Sequence, residues 1–130
     1  MTSEISTDNL ITILRDTVVS LVRRDGVDLS ARQLAVFLTC YLDDGAHTVR
    51  GLANQLNVSK PAITRALDRL ADLDLARRKV DPADRRSVLV QRTSKGNTFL
   101  RDIKTVMNEV SKPAPAPAAE RTTTRRRSAA

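Results

Sequence analysis

The chemistry available to this sequence is cationic. It has 22 Lys and Arg against 15 Asp and Glu, a net charge of +7 over 130 residues, and 17 of the cations are arginine. A guanidinium presents a planar fork of donors that fits phosphate oxygens and guanine edges, which a lysine ammonium does not. The cations are sorted along the chain. Residues 1–44 carry −3, residues 45–95 carry +6, residues 96–112 carry +1 and residues 113–130 carry +3. A uniformly solvated surface would not be divided this way. The middle segment is expected to face a polyanion, with different work assigned to the acidic first third.

Other chemistries find little support. His47, near Cys40, Asp43 and Asp44, matches no standard metal-ligand spacing, so no metal and no cofactor are expected. There is no Gly-rich phosphate loop and no Ser-His-Asp set, and Asp68 and Asp72 belong to an exposed helix face with Arg65 and Arg69, whose charge they are expected to tune. An enzyme is not expected. Cys40 is the single cysteine, so no internal disulfide can form, and it is expected to pack in the core. The three aromatics, Phe37, Tyr41 and Phe99, are too few for a protein that stacks single-stranded bases. No apolar run is long enough to span a membrane, and Met1–Glu4 leads into no signal-peptide core, so a cytoplasmic protein is expected.

The elements that must position these cations can be read from periodicity and caps. Leu10, Leu14, Val18 and Leu21 recur at helical spacing, which predicts a helix over 9–24 stopped by Asp25-Gly26. Ser30 and Gln33 form a capping box for a helix over 30–43. Thr48 is a candidate N-cap for a short helix bearing Leu52, Ala53 and Leu56. Ser59 caps the next, with Pro61 in its first turn and Ile63, Leu67, Leu70 and Leu73 facing inward. Two short helices joined by a connection as tight as Asn57-Val58 predict a helix-turn-helix over 48–73. Strands at 76–81 and 87–91, with a charged tip Pro82–Arg86 between them, predict a wing over 76–92. Arg77 and Lys79 should point to one face of the first strand and Arg78 to the other. His47 is expected at the start of a short strand before the third helix. A last helix is expected over 94–111, with Phe99, Ile103, Val106, Met107 and Val110 on one side. The fold class is therefore mainly α with a small β-hairpin. The fold occupies 9–111, preceded by a flexible 1–8 and followed by a disordered basic Pro/Ala/Arg tail over 112–130 that could act as a phosphate-contacting arm.

Residues 48–96 resemble the winged helix-turn-helix of the MarR family of transcriptional regulators. The resemblance rests on Val49-Arg50-Gly51-Leu52-Ala53-Asn54-Gln55-Leu56, on Ser59 through Leu70, on Asp81-Pro82-Ala83-Asp84-Arg85-Arg86-Ser87 and on Thr93-Ser94-Lys95-Gly96, in that order and spacing. The helices at 9–24 and 30–43 fit the same layout. The resemblance implies a homodimer on a pseudo-palindromic duplex operator, with the second helix of the motif in the major groove and the wing in the minor groove, and a repressor acting at the nucleoid. Carried onto this chain, it makes Ser59, Lys60, Pro61, Ala62, Thr64 and Arg65 the recognition-helix contacts and Arg85 and Arg86 the wing contacts, with Asp84 fixing the wing tip. Arg50 and Arg69 complete the expected DNA-facing set, and helices 9–24 and 94–111 are the expected dimerisation elements.

The residues themselves agree with several of these roles. The helix start at Ser59 offers backbone N–H groups and a positive dipole end to phosphate. Arg65 lies opposite Ile63 and Leu67, and adjacent arginines suit a narrow minor groove. Where many members carry Gly after the recognition helix this chain has Asp74, which tolerates a left-handed backbone better than most residues. The short C-terminal helix offers less dimerisation material than is usual, and three aromatics give little counterpart to an aromatic-lined effector pocket. A low-specificity architectural DNA-binding protein and a winged-helix protein-interaction module are the two other readings.

Overall fold

A hydroxyl starts every helix among the described residues. In the computed structural model, which describes residues 5–24 and 27–112, the order is α1 (Thr7–Arg23), α2 (Ala31–Leu42), α3 (Val49–Leu56), α4 (Lys60–Asp72), β1 (Ala76–Asp81), β2 (Asp84–Arg92) and α5 (Ser94–Val110). The side chains of Ser6, Ser30, Thr48, Ser59 and Thr93 accept from the backbone N–H of Asn9, Gln33, Gly51, Ala62 and Gly96 in turn. Each such cap stabilises its helix by about 1 kcal/mol. The box at Ser30 is reciprocal, since Ser30 N–H donates back to Gln33 Oε1 at 2.9 Å. The expected helices are present, with one shift at the first: α1 begins at Thr7 under the Ser6 cap, so residues 6–8, expected to be flexible, are ordered. The expected stop at Asp25-Gly26 and the tail over 113–130 lie outside the described residues.

Two left-handed residues set the turns. Asn57 (φ 56°) closes α3 and Asp74 (φ 59°) follows α4. Asn and Asp are the non-glycine residues best able to adopt this backbone, and Asp74 meets the expectation that it could replace glycine.

The core is built from α2, α3, α4, the start of β1 and α5. Phe37 stacks on Tyr41 with ring centroids 4.4 Å apart and meets Phe99 edge-on at 5.1 Å, so all three aromatics are spent on packing. Cys40 is buried beside them. Burial pushes its thiol up from 9.0 to about 11, which fits a packing residue and not a reactive thiolate.

The hairpin is antiparallel, with Ala76 opposite Arg92 and Val80 opposite Val88. His47 O accepts from Val90 N–H at 2.9 Å, and Thr48 bridges to Leu89. The strand expected before α3 is thus a single bridge. The expected five-residue tip is also shorter. β2 begins at Asp84, so Asp84, Arg85 and Arg86 lie in the strand and only Pro82-Ala83 turn. Asp81 Oδ1 accepts from Ala83 N–H at 2.9 Å, which closes the turn locally.

One hydroxyl ties the hairpin base to the helices. Tyr41 Oη donates to Leu75 O at 2.6 Å and accepts from Thr93 N–H at 2.9 Å. Thr93 Oγ1 in turn donates to Asp74 O at 2.7 Å. A Cβ on Gly96 would overlap that tyrosine hydroxyl and lie 2.5 Å from Leu75 O, so glycine is required there. Arg92 adds a second tie that sequence reasoning missed: it donates to Cys40 O (3.0 Å) and to Asp43 O (3.2 Å), the latter shared with His47 Nε2 at 3.0 Å, both carbonyls at the end of α2, and lies over the Tyr41 ring.

α1 differs from the other helices. Its one buried residue is Thr17, whose hydroxyl donates to Ile13 O. Leu21 reaches the core, and Arg24 pairs with Asp102 of α5 at 2.7 Å. Leu10, Ile11, Leu14, Val18 and Val22 are 43–65% exposed, as is Met107 of α5 at 43%. No described helix is long and apolar enough to cross a membrane.

Candidate nucleic-acid interface

α3, the Asn57-Val58 turn and α4 form the expected helix-turn-helix. α4 has three faces because 3.6 residues make one turn. Ala62, Ile63, Ala66, Leu67 and Leu70 are buried. Lys60, Thr64 and Asp68, each four apart, form a ridge. Arg65, Arg69 and Asp72 form a second, exposed face. Of the residues expected at DNA, Ser59, Lys60, Pro61, Arg65 and Arg69 are exposed and Thr64 is half-buried. Ala62 is only 6% exposed, so its side chain is removed from the expected surface. The apolar face of α4 is wider, by Ala62 and Ala66, than the four-and-three spacing of Ile63, Leu67 and Leu70 indicated.

The start of α4 also offers fewer donors than expected. Pro61 has no N–H, and Ala62 N–H is held by Ser59 Oγ at 3.2 Å, which leaves that of Lys60 within the first turn. The positive end of the helix dipole remains.

On the hairpin, Asp84 organises the residues after it. Its Oδ1 accepts from Arg86 N–H at 3.1 Å and Arg86 Nε at 3.5 Å, and its Oδ2 from Ser87 Oγ at 3.4 Å. The Arg86 side chain is 90% exposed, so the carboxylate orients it without removing it from solvent. Arg50, Lys60, Thr64, Arg78 and Arg86 line a groove between α3, α4 and the hairpin. Among the described residues, Arg50, Lys60, Arg65, Arg69 and Arg85 have no carboxylate within 4.0 Å. Cations without acidic partners on one surface make an unsatisfied positive field.

One acidic residue behaves differently from expectation. Asp68 does not pair with Arg65 or Arg69 along the helix; it accepts from Arg78 of β1. Asp74 pairs with Arg77 at 3.2 Å. Arg78 was the residue that strand alternation separated from Arg77 and Lys79, and that separation was the available signal for its place in the groove. Among the described residues no group of three His, Cys, Asp or Glu side chains is arranged to hold a metal ion.

Residues 29–88, from just before α2 to the middle of β2, match the family model described as the MarR family. Among solved structures, a transcriptional regulator from Thermotoga maritima superposes with a TM-score of 0.67 at 22% identity, covering 78% of this chain and 69% of that one. A structure of MarR gives 0.61 at 28% identity, covering 82% and 78%. A MarR transcriptional regulator from Methanosarcina mazei Go1 gives 0.60 at 23% identity, covering 90% and 88%. No curated protein matches the sequence.

Proposed function

From the match of residues 29–88 to the MarR family model, we propose that this chain is a DNA-binding transcriptional regulator of that family, a homodimeric repressor of a pseudo-palindromic duplex operator. α4 enters the major groove. Arg65 reads base edges there, helped by Thr64, while Ser59, Lys60, Pro61 and Arg69 meet the backbone beside it. The hairpin tracks the adjacent minor groove with Arg85 and Arg86, Asp84 holding Arg86 in place, and Arg50 adds a phosphate contact. The protein acts at the nucleoid.

The observation that carries this reading is the placement of charge. Arg50, Lys60, Arg65, Arg69 and Arg85, none with a carboxylate partner among the described residues, lie on α3, α4 and the hairpin, while most of the exposed large apolar side chains lie on α1, with Met107 on α5. The first surface suits a polyanion and the second suits a second copy of the chain, which would set two α4 helices about one helical turn of DNA apart, roughly 34 Å.

Genome-wide mapping of bound DNA tests the proposal. Sharp palindromic sites are expected. Broad coverage would replace the regulator with an architectural protein, and no enrichment would leave the surface as a protein-interaction module. On the mapped site, Arg65→Ala is expected to cost about 1–3 kcal/mol and to relax sequence preference. Equal losses on the mapped site and on random duplex would remove Arg65 from base reading.

A further inference from the structure

The groove between α4 and the hairpin contains an ion pair whose position is not explained by stability. Arg78 reaches from β1 to Asp68 on α4, and the two side chains are 34% and 52% exposed. An ion pair this open to solvent stabilises a fold little. Asp68 also adds a negative charge to a surface that otherwise gathers cations, which opposes the approach of a polyanion. What the pair does achieve is directional. In the hairpin register Arg78 stands opposite Val90, on the same face as buried Ala76 and as the Val80–Val88 pair, while Arg77 and Lys79 alternate to the other face. From that face it lines the groove with Arg50, Lys60, Thr64 and Arg86. Asp68 continues the Lys60–Thr64 ridge by one turn. It engages the guanidinium through one nitrogen, Nη2, out of five N–H donors, so most of the fork is left for another acceptor.

We propose that Arg78 contacts a backbone phosphate of duplex DNA seated in this groove, and that Asp68 is a positioning residue that aims the guanidinium at it. The proposal rests on the duplex-binding reading above and adds to it a phosphate held between the α4 contacts and the hairpin contacts. The arrangement parallels Asp84 and Arg86 at the far end of the groove: in each case a carboxylate fixes an arginine that stays solvent-accessible.

The test is binding of the full chain to a random-sequence duplex of roughly three helical turns, read by anisotropy from about 50 to about 200 mM KCl. Arg78→Ala is expected to weaken binding about tenfold at the low-salt end and to make the log–log salt slope shallower by about 0.9, the value for one phosphate contact. Arg78→Lys keeps the charge, so its slope is expected to stay at the wild-type value. Asp68→Asn is diagnostic through its sign. It removes a negative charge, so electrostatics alone predicts tighter binding, whereas loss of aim predicts binding weakened severalfold. Thermal melts of each variant accompany the titrations. If Arg78→Ala does not fold, Arg78→Lys and Asp68→Asn carry the same comparison. An unchanged slope for Arg78→Ala with wild-type binding intact, or tighter binding by Asp68→Asn, would overturn the proposal alone. Wild-type protein with no salt-dependent duplex binding would overturn the duplex reading and this proposal together.

Discussion

α4 and α1 carry the same kind of pattern and meet different fates. In α4 the residues at core spacing, Ile63, Leu67 and Leu70, are 0–1% exposed. In α1 the equivalent stripe of Leu10, Leu14 and Val18 is 43–55% exposed. Both helices are amphipathic and both are capped by serine. The difference lies in what faces them. α4 has α2, α3 and β1 to close over its apolar side, whereas α1 packs mainly on α5. Periodicity therefore reports that a helix owns an apolar face, and says nothing of whether the same chain covers it. A stripe of this size left in water is the signature of an interface.

Four measurements would break or sharpen that contrast. The largest effect is expected at Leu67. Leu67→Ala removes a fully enclosed side chain and should cost about 3 kcal/mol in a urea titration. A loss below about 1 kcal/mol would put the α4 face on the same footing as that of α1. Leu14→Glu is next. It places a charge in the exposed stripe and should forfeit the burial of one leucine, about 2–3 kcal/mol of association, or on the order of a hundredfold in dimer Kd. Light scattering should show the mass halve at micromolar protein while helical circular dichroism persists; an unchanged dimer mass would show that the stripe is not the interface.

The third measurement reads the dryness of the winged-helix core. The folded state holds the Cys40 proton more tightly than the unfolded chain, with the thiol pushed up from 9.0 to about 11. Its contribution is therefore complete below pH 9 and declines as pH rises toward 11, by about 2 kcal/mol. Urea titrations across that range should show a shallower decline for Cys40→Ala than for wild type, and parallel curves would mean the thiol is solvated. The smallest effect belongs to Arg24→Ala. The Arg24–Asp102 pair that ties α1 to α5 is about two-fifths exposed on both sides, and its loss should cost less than about 1 kcal/mol.

The legibility of the sequence divides in the same way, between local and distant causes. Helix starts were legible because a cap and its partner lie three residues apart, as with Ser59 and Ala62 N–H. Asp74 was legible because left-handed tolerance belongs to the residue. Four features were not legible. Asp68 finds Arg78 ten residues on and across a turn, in preference to the neighbours on its own helix. Arg92 reaches carbonyls 49 and 52 residues earlier, and no periodicity encodes that. Ala62 is small enough to sit on either side of a helix boundary, so its burial depends on how closely α4 is packed. The tip of the hairpin shortened because two aspartates make side-chain turns that extend the pairing to Asp84. The candidate site was thus legible as a set of residue types, while the pairings that orient its arginines came only with the tertiary structure.

The Tyr41 hydroxyl gives the hairpin mechanical properties. It holds Leu75, just before β1, and Thr93, just after β2, through a single oxygen, so both legs of the hairpin share one fulcrum. From Ala76 to Asp81 the arm runs five residue steps, about 17 Å at ~3.4 Å each. A tilt of about ten degrees at the base would carry the tip through about 3 Å on that arm, roughly the length of a hydrogen bond. A displacement of α2 too small to disturb its own packing would thus be magnified at Arg85 and Arg86, the arginines carried near the end of the arm.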